Sequence, residues 1–271
     1  VTWEARMTTT TSEFDADTEV EQLSEDHYRA RLSERWCNPT GATNGGYLLG
    51  VCLRALQARL PFPDPLAVSA FYLRPGLPGS AELNTELVRA GRRMATGEVR
   101  LAQGGKEVIR VVSTFSELTE RPDGKELGSM PQLPPPEECP AQPDAARAPE
   151  TTMAGRIEYR YPSLPGWMSG NPSGRSTDAF WMRFADGRDA DPLSLPSLVD
   201  SAAPVIFDLG MPGSSTVELT AHLRARPAPG WLACKVSTQH MTGGYHEEDF
   251  EIWDSTGVLV AQSRQLAIFL E

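Results

Sequence analysis

The chain lacks any apolar run near the roughly 18 residues that span a bilayer, so no α-helical membrane span is expected. Basic residues are in the minority: 25 Lys and Arg stand against 36 Asp and Glu, for a formal net charge of -11. A broad basic surface for nucleic acid is therefore not expected. Cysteine and histidine are scarce, with four of each. Cys37, Cys52, Cys139 and Cys234 lie far apart, without C-x-x-C spacing or a histidine at ligand spacing, and read as reduced structural thiols. His240 and His246 flank a Gly-Gly turn without metal spacing, and His222 reads as a strand residue facing solvent. The polar N-terminus has no apolar core of a secretory signal, and residues 1–13 are expected to form a flexible leader, with Met7 an alternative start. A cytoplasmic protein without metal or cofactor is the simplest expectation.

What the chain does contain is a weak internal repeat. Segment 66–118 opens LAVSAFYLRPGLPG and closes GGKEVIRVVSTF, while segment 216–270 opens TVELTAHLRARPAPGWL and closes GVLVAQSRQLAIFL. Leu73-Arg74 matches Leu223-Arg224, and Pro78-Gly79 matches Pro229-Gly230. Each copy reads as four antiparallel strands, because apolar and polar residues alternate: Leu83, Thr85 and Leu87 in the first copy, Val217, Leu219, Ala221 and Leu223 in the second, with Phe250 and Ile252 farther on. Further strands are expected at 27–34, 156–162 and 178–185.

Ahead of each copy lies a helical stretch. Gly45–Leu60 is apolar nearly all round, so other structure must wrap it. Leu193–Phe207 corresponds to it in the second copy, interrupted by Pro196 and Pro204. Eight prolines between Pro122 and Pro149 make 119–150 an extended linker. The expected fold class is α+β: modules 14–118 and 151–271, each an antiparallel sheet curled around a central helix.

With these blocks in place, the sequence resembles the double-hotdog acyl-CoA thioesterase family typified by bacterial thioesterase II. The resemblance rests on GGYLLGVCLRAL, LAVSAFYLRPGLPG, TVELTAHLRARPAPGWL and GVLVAQSRQLAI, and covers Phe14 to the C-terminus apart from the linker. It implies hydrolysis of an acyl-CoA without cofactor, a place in fatty acid metabolism, and a homo-oligomer, either a dimer or a dimer of dimers. It also implies a catalytic Asp on the second helix, matched by Asp200 in SLVDSAAP, a strand-opening Thr, matched by Thr216, and a last-strand Gln, matched by Gln265 in VAQSRQLA.

The chemistry suits these residue types. A thioester is already a reactive acyl donor, so a carboxylate that deprotonates one water, with a hydroxyl and an amide to orient it, suffices. Each residue has a competing structural account. Asp200 can cap a helix end near Pro204, although its neighbours are small or apolar; Gln265 can be a satisfied core amide; and the parity of Thr216 groups it with solvent-facing Glu218 and Thr220.

The run from Asn38 to Gly46 also resembles the Asn-x6-Gly-Gly lead-in of single-hotdog thioesterases of the phenylacetate type. It implies a composite site in which the Gly45 or Gly46 N–H polarises the carbonyl, Asn38 lies nearby, and Asp200 faces them. Close packing at the helix start explains the Gly pair equally well. Two rival functions are a hotdog hydratase or dehydratase, disfavoured because Asn44 stands where its His is needed, and a non-catalytic acyl-thioester binding module.

Overall fold

Alternating burial along the strands decides the architecture. The computed structural model describes residues 12–143 and 152–270. In the first half, β1 (Val20–Gln22), β2 (His27–Leu32), β3 (Asp64–Tyr72), β4 (Gly79–Ala90), β5 (Ala95–Gln103) and β6 (Lys106–Ser116) surround one long helix. The second half contributes β7 (Ile157–Arg160), β8 (Thr177–Phe184), β9 (Ser214–Leu223), β10 (Leu232–Ser237), β11 (Met241–Thr242), β12 (Tyr245–Trp253) and β13 (Leu259–Phe269). All pair antiparallel in one sheet, in the order β1-β2-β4-β5-β6-β3-β9-β13-β12-β10-β8-β7, with β11 beside β12. The order reads alike outward from the β3–β9 seam, where Ala67 faces His222 and Phe71 faces Glu218. Leu83, Val99, Leu101, Leu219, Ala221 and Phe250 point inward, and their intervening neighbours face water.

The first expected helix is α2 (Gly45–Arg59). Asn44 caps it, its side-chain oxygen accepting from Tyr47 N–H at 3.0 Å. Leu49, Val51, Cys52, Leu53, Ala55 and Leu56 are fully buried, so truncating one of the leucines costs about 2–5 kcal/mol. Arg54 and Arg59 carry the thin polar stripe and pair with Asp15 and Asp26.

The second expected helix is corrected by the structure. Of Leu193–Phe207 only α3 (Leu195–Leu198) is α-helical, and a short 3-10 turn follows at Val205–Leu209. The prolines explain this. Pro196 is tolerated in the first turn, whereas Pro204 has no N–H to continue a ladder and starts a new turn with φ -58°. α3 packs against α2, so the two halves meet helix to helix at glycines. A Cβ on Gly46 would lie 2.4 Å from the Ser197 carbonyl oxygen, and one on Gly50 would lie 2.7 Å from Ser197 Oγ.

The proline-rich stretch carries no strand or α-helix among its described residues, but its later part is fastened down. Trp181 Nε1 donates to the Pro134 carbonyl at 2.8 Å, and Cys139 is buried in a small cluster with Trp181, Ala233 and Trp253. The expected leader falls mostly on residues 1–11, outside the described residues. Ser12 and Glu13 instead begin α1 (Glu13–Asp17), whose Phe14 is buried in the main core.

Gly46→Ala should lower the unfolding midpoint by the equivalent of about 1–3 kcal/mol, the usual cost of overpacking. Thermal denaturation of the purified variant checks this, and an unchanged midpoint would contradict the close contact of α2 with Ser197.

Candidate active site

The site is built where the two halves touch. Asp200 stands in the turn after α3 rather than inside a helix, held by Val199 N–H to the Leu195 carbonyl at 3.1 Å and Ser201 N–H to the Leu198 carbonyl at 3.1 Å. Tyr159 on β7 fixes the next residue, its hydroxyl donating to the Ser201 carbonyl at 2.7 Å. This turn aims the carboxylate at the start of α2. Gly46 N–H donates to Asp200 Oδ2 at 2.6 Å, and Asn44 Nδ2 donates to the Asp200 carbonyl at 3.0 Å. A helix N-terminus carries unsatisfied N–H groups and partial positive charge, which is why an anionic side chain settles there. Among the described residues no protein donor reaches Asp200 Oδ1.

Burial raises the Asp200 pKa to about 7, against the opposing pull of the Gly46 N–H and the Asn44 amide. Asp200 as a whole residue is half-buried, while its carboxyl group is enclosed. A carboxyl group balanced near neutrality can take a proton from a water and return it.

The remaining sequence-predicted residues meet on the strands beside this turn. Thr216 Oγ1 donates to Gln265 Oε1 at 2.8 Å, and Gln265 Nε2 donates to Glu248 Oε1 at 3.1 Å. Glu248 Oε2 accepts from Val205 N–H at 2.9 Å, which ties this chain of bonds to the segment that carries Asp200. The inward reach of Thr216 has a local cause. Pairing shifts between Leu266 and Ala267, so Val217 is left over in β9; beyond this bulge the parity reverses, and Val217 rather than Thr216 is exposed. Asp200 makes no direct hydrogen bond to Gln265 among the described residues, but its charge is felt at Glu248. Burial first, and Asp200 in addition, raise the Glu248 pKa to about 7.

Two expectations need correction. Asn38 does not join the site: its side-chain oxygen closes a surface turn, accepting from Thr40 N–H at 3.0 Å and Thr40 Oγ1 at 2.6 Å. Asn44 takes the place at Asp200. Gly46 N–H is spent on the carboxylate, so among the described residues only Gly45 N–H stays open at the helix start. Glu248 joins the site beyond the residues expected from sequence, and its parity with Phe250 and Ile252 marks it as inward-facing. Tyr72, which closes β3, joins the site at the start of α2. Its ring tip and Asp200 Oδ2 both crowd the space above Gly45, where a Cβ would lie 2.9 Å from Tyr72 Cε1 and 2.8 Å from Oδ2.

The chain as a whole is similar to known proteins. A family model described as the acyl-CoA thioesterase N-terminal domain matches residues 32–116, and its C-terminal counterpart matches residues 136–269. A candidate thioesterase II from Thermobifida fusca superposes with a TM-score of 0.87 at 29% identity, covering 96% of this chain and 98% of that one. A protein of unknown function with a hot dog fold from Alicyclobacillus acidocaldarius gives a TM-score of 0.85 at 22% identity, over 97% and 99% of the two chains. An uncharacterized protein of Mycobacterium tuberculosis is 29% identical over 89% of this chain and 90% of its own length.

The raised Asp200 carboxyl has a sign for stability. A carboxyl whose folded pKa exceeds its unfolded value of about 4 favours folding fully below that value, and this contribution is lost as pH rises through about 7. Asp200→Asn should therefore gain stability relative to the unmodified protein as pH increases from about 4 to 7. Urea denaturation at several pH values measures the gap, and a gap independent of pH would contradict a buried, raised carboxyl.

Proposed function

The chain belongs to the acyl-CoA thioesterase family and is a thioester hydrolase, and from that premise we propose that it hydrolyses an acyl-CoA to a carboxylic acid and coenzyme A with a water activated by Asp200. The observation that carries the reading is the Asp200 carboxylate seated on the α2 N-terminus, with Oδ2 held by Gly46 and Oδ1 open. A water bound at Oδ1 gives its proton to Asp200 as its oxygen attacks the thioester carbon. The tetrahedral oxyanion then collapses, the C–S bond breaks, and the coenzyme A sulfur leaves with the proton that Asp200 took up. No covalent acyl-enzyme is needed, because a thioester is reactive enough for direct attack by an activated water.

Gln265 and Thr216 are the orienting residues in this proposal. Thr216 and Glu248 fix which way the Gln265 amide faces, so its second N–H and second oxygen lone pair remain for a water. Gly45 N–H supplies polarisation of the carbonyl at the positive end of α2.

The same proposal takes the fold as two fused hotdog modules, 14–118 and 151–271, joined by 119–150. The mirrored strand order about the β3–β9 seam supports it. It further places the enzyme in the cytoplasm, in fatty acid metabolism, as a homodimer or dimer of dimers. Exposed Val217, Leu266, Ile268 and Tyr245 offer an apolar surface for self-association. Among the described residues no helix is long and apolar enough to cross a membrane.

Thiol release from acyl-CoAs of graded chain length tests the activity. Asp200→Asn should slow release about 10²–10⁴-fold. In the unmodified enzyme kcat/KM should rise with pH to a plateau above about 7, as Asp200 ionises. Full release by the Asn variant would remove Asp200 from the mechanism.

A further inference from the structure

The Tyr72 hydroxyl is buried and has no hydrogen-bond partner among the described residues. An unpaired phenol of this kind is costly, because it gives up water without replacement. Its surroundings are not casual. The ring lies over Gly45, where a Cβ would come 2.9 Å from Cε1 and 3.1 Å from Cζ, and the same Cβ would come 2.8 Å from Asp200 Oδ2. Glycine at this position therefore lets a phenol, a carboxylate and the first turn of α2 converge. Gly45 N–H, at the head of the helix, likewise has no acceptor among the described residues. Two open donors thus flank one carboxylate.

We propose that Tyr72 is a catalytic residue, donating a hydrogen bond from Oη to the thioester carbonyl oxygen alongside the Gly45 N–H. This rests on the reading of Asp200 as the water-activating base. When water adds to the carbonyl carbon, the oxygen takes up negative charge, and both donors bind it more strongly than they bind the ground-state carbonyl. No proton leaves Tyr72 during the cycle; it travels from water to Asp200 and on to the departing sulfur. The phenol suits this duty because it stays protonated: burial, followed by the neighbouring charge of Asp200, holds its pKa well above 10. It can therefore donate at any working pH and never confronts the oxyanion with a second negative charge.

Tyr72→Phe separates this role from simple packing. It keeps the ring and removes only the unpaired hydroxyl, so the unfolding midpoint should stay level or rise. For the acyl-CoA turned over fastest in the chain-length series, kcat should fall about 10²-fold with KM nearly unchanged. An unchanged kcat overturns the proposal. If the midpoint falls, infrared spectroscopy of the carbonyl-¹³C-labelled substrate bound to Asp200→Asn decides. The bound C=O stretch should sit lower in that variant than in Asp200→Asn/Tyr72→Phe, and equal frequencies overturn the proposal. The two readings fail separately. Full activity in Asp200→Asn ends the water-activation mechanism itself, whereas loss of activity there with an intact Tyr72→Phe removes only the phenol.

Discussion

Everything at the site depends on one hydrogen bond between the halves of the molecule, from Gly46 N–H to Asp200 Oδ2 at 2.6 Å. The bond needs two glycines at the start of α2, because a Cβ on either would strike the segment that carries the acid or the acid itself. It also needs a turn, rather than a continued helix, after Leu198. Pro204 and the Tyr159 bond to Ser201 provide that turn and hold it in place. Neither half holds the site alone: the first contributes the helix end and Asn44, the second the carboxylate.

Burial near a helix end sets two opposing forces on Asp200, and burial wins by enough to bring the group near neutrality. Glu248 lies in a similar balance on β12, with one oxygen taken by Val205 N–H and the other by Gln265. Like charges in a poorly hydrated space resist simultaneous ionisation, so the charge of Asp200 adds to burial in raising the Glu248 pKa. The amide of Gln265 transmits this arrangement to the strand side, where Thr216 completes it.

Much of the fold was legible because alternation and all-round hydrophobicity are strong signals. The strands at 27–32, 157–160 and 177–184 fall on the stretches expected at 27–34, 156–162 and 178–185, and the helix at 45–59 follows from its all-round apolarity. Periodicity failed at Leu193–Phe207, where composition suited a helix but two prolines left a single turn. It failed again at Thr216, because a bulge at Val217 reverses the parity that a straight strand would keep. The resemblance pointed to Asn38 and not to Asn44, and only the folded chain shows the Asn38 side-chain oxygen taken up by Thr40 and the Asn44 amide turned to Asp200. Glu248 could have been found from its parity with Phe250 and Ile252. Tyr72 could not, since the convergence over Gly45 arises from a strand, a helix and a turn far apart in the chain.

A crystal structure of Asp200→Asn with an acyl-CoA bound would test the site between the two halves most directly. The expected result is a thioester carbonyl at the head of α2, with a water bound to the residue 200 side chain about 3–3.5 Å from the carbonyl carbon. A thioester bound away from α2, for example in the outer groove of about 400 Å³ lined by His222, Lys235 and Arg264, would contradict the assignment.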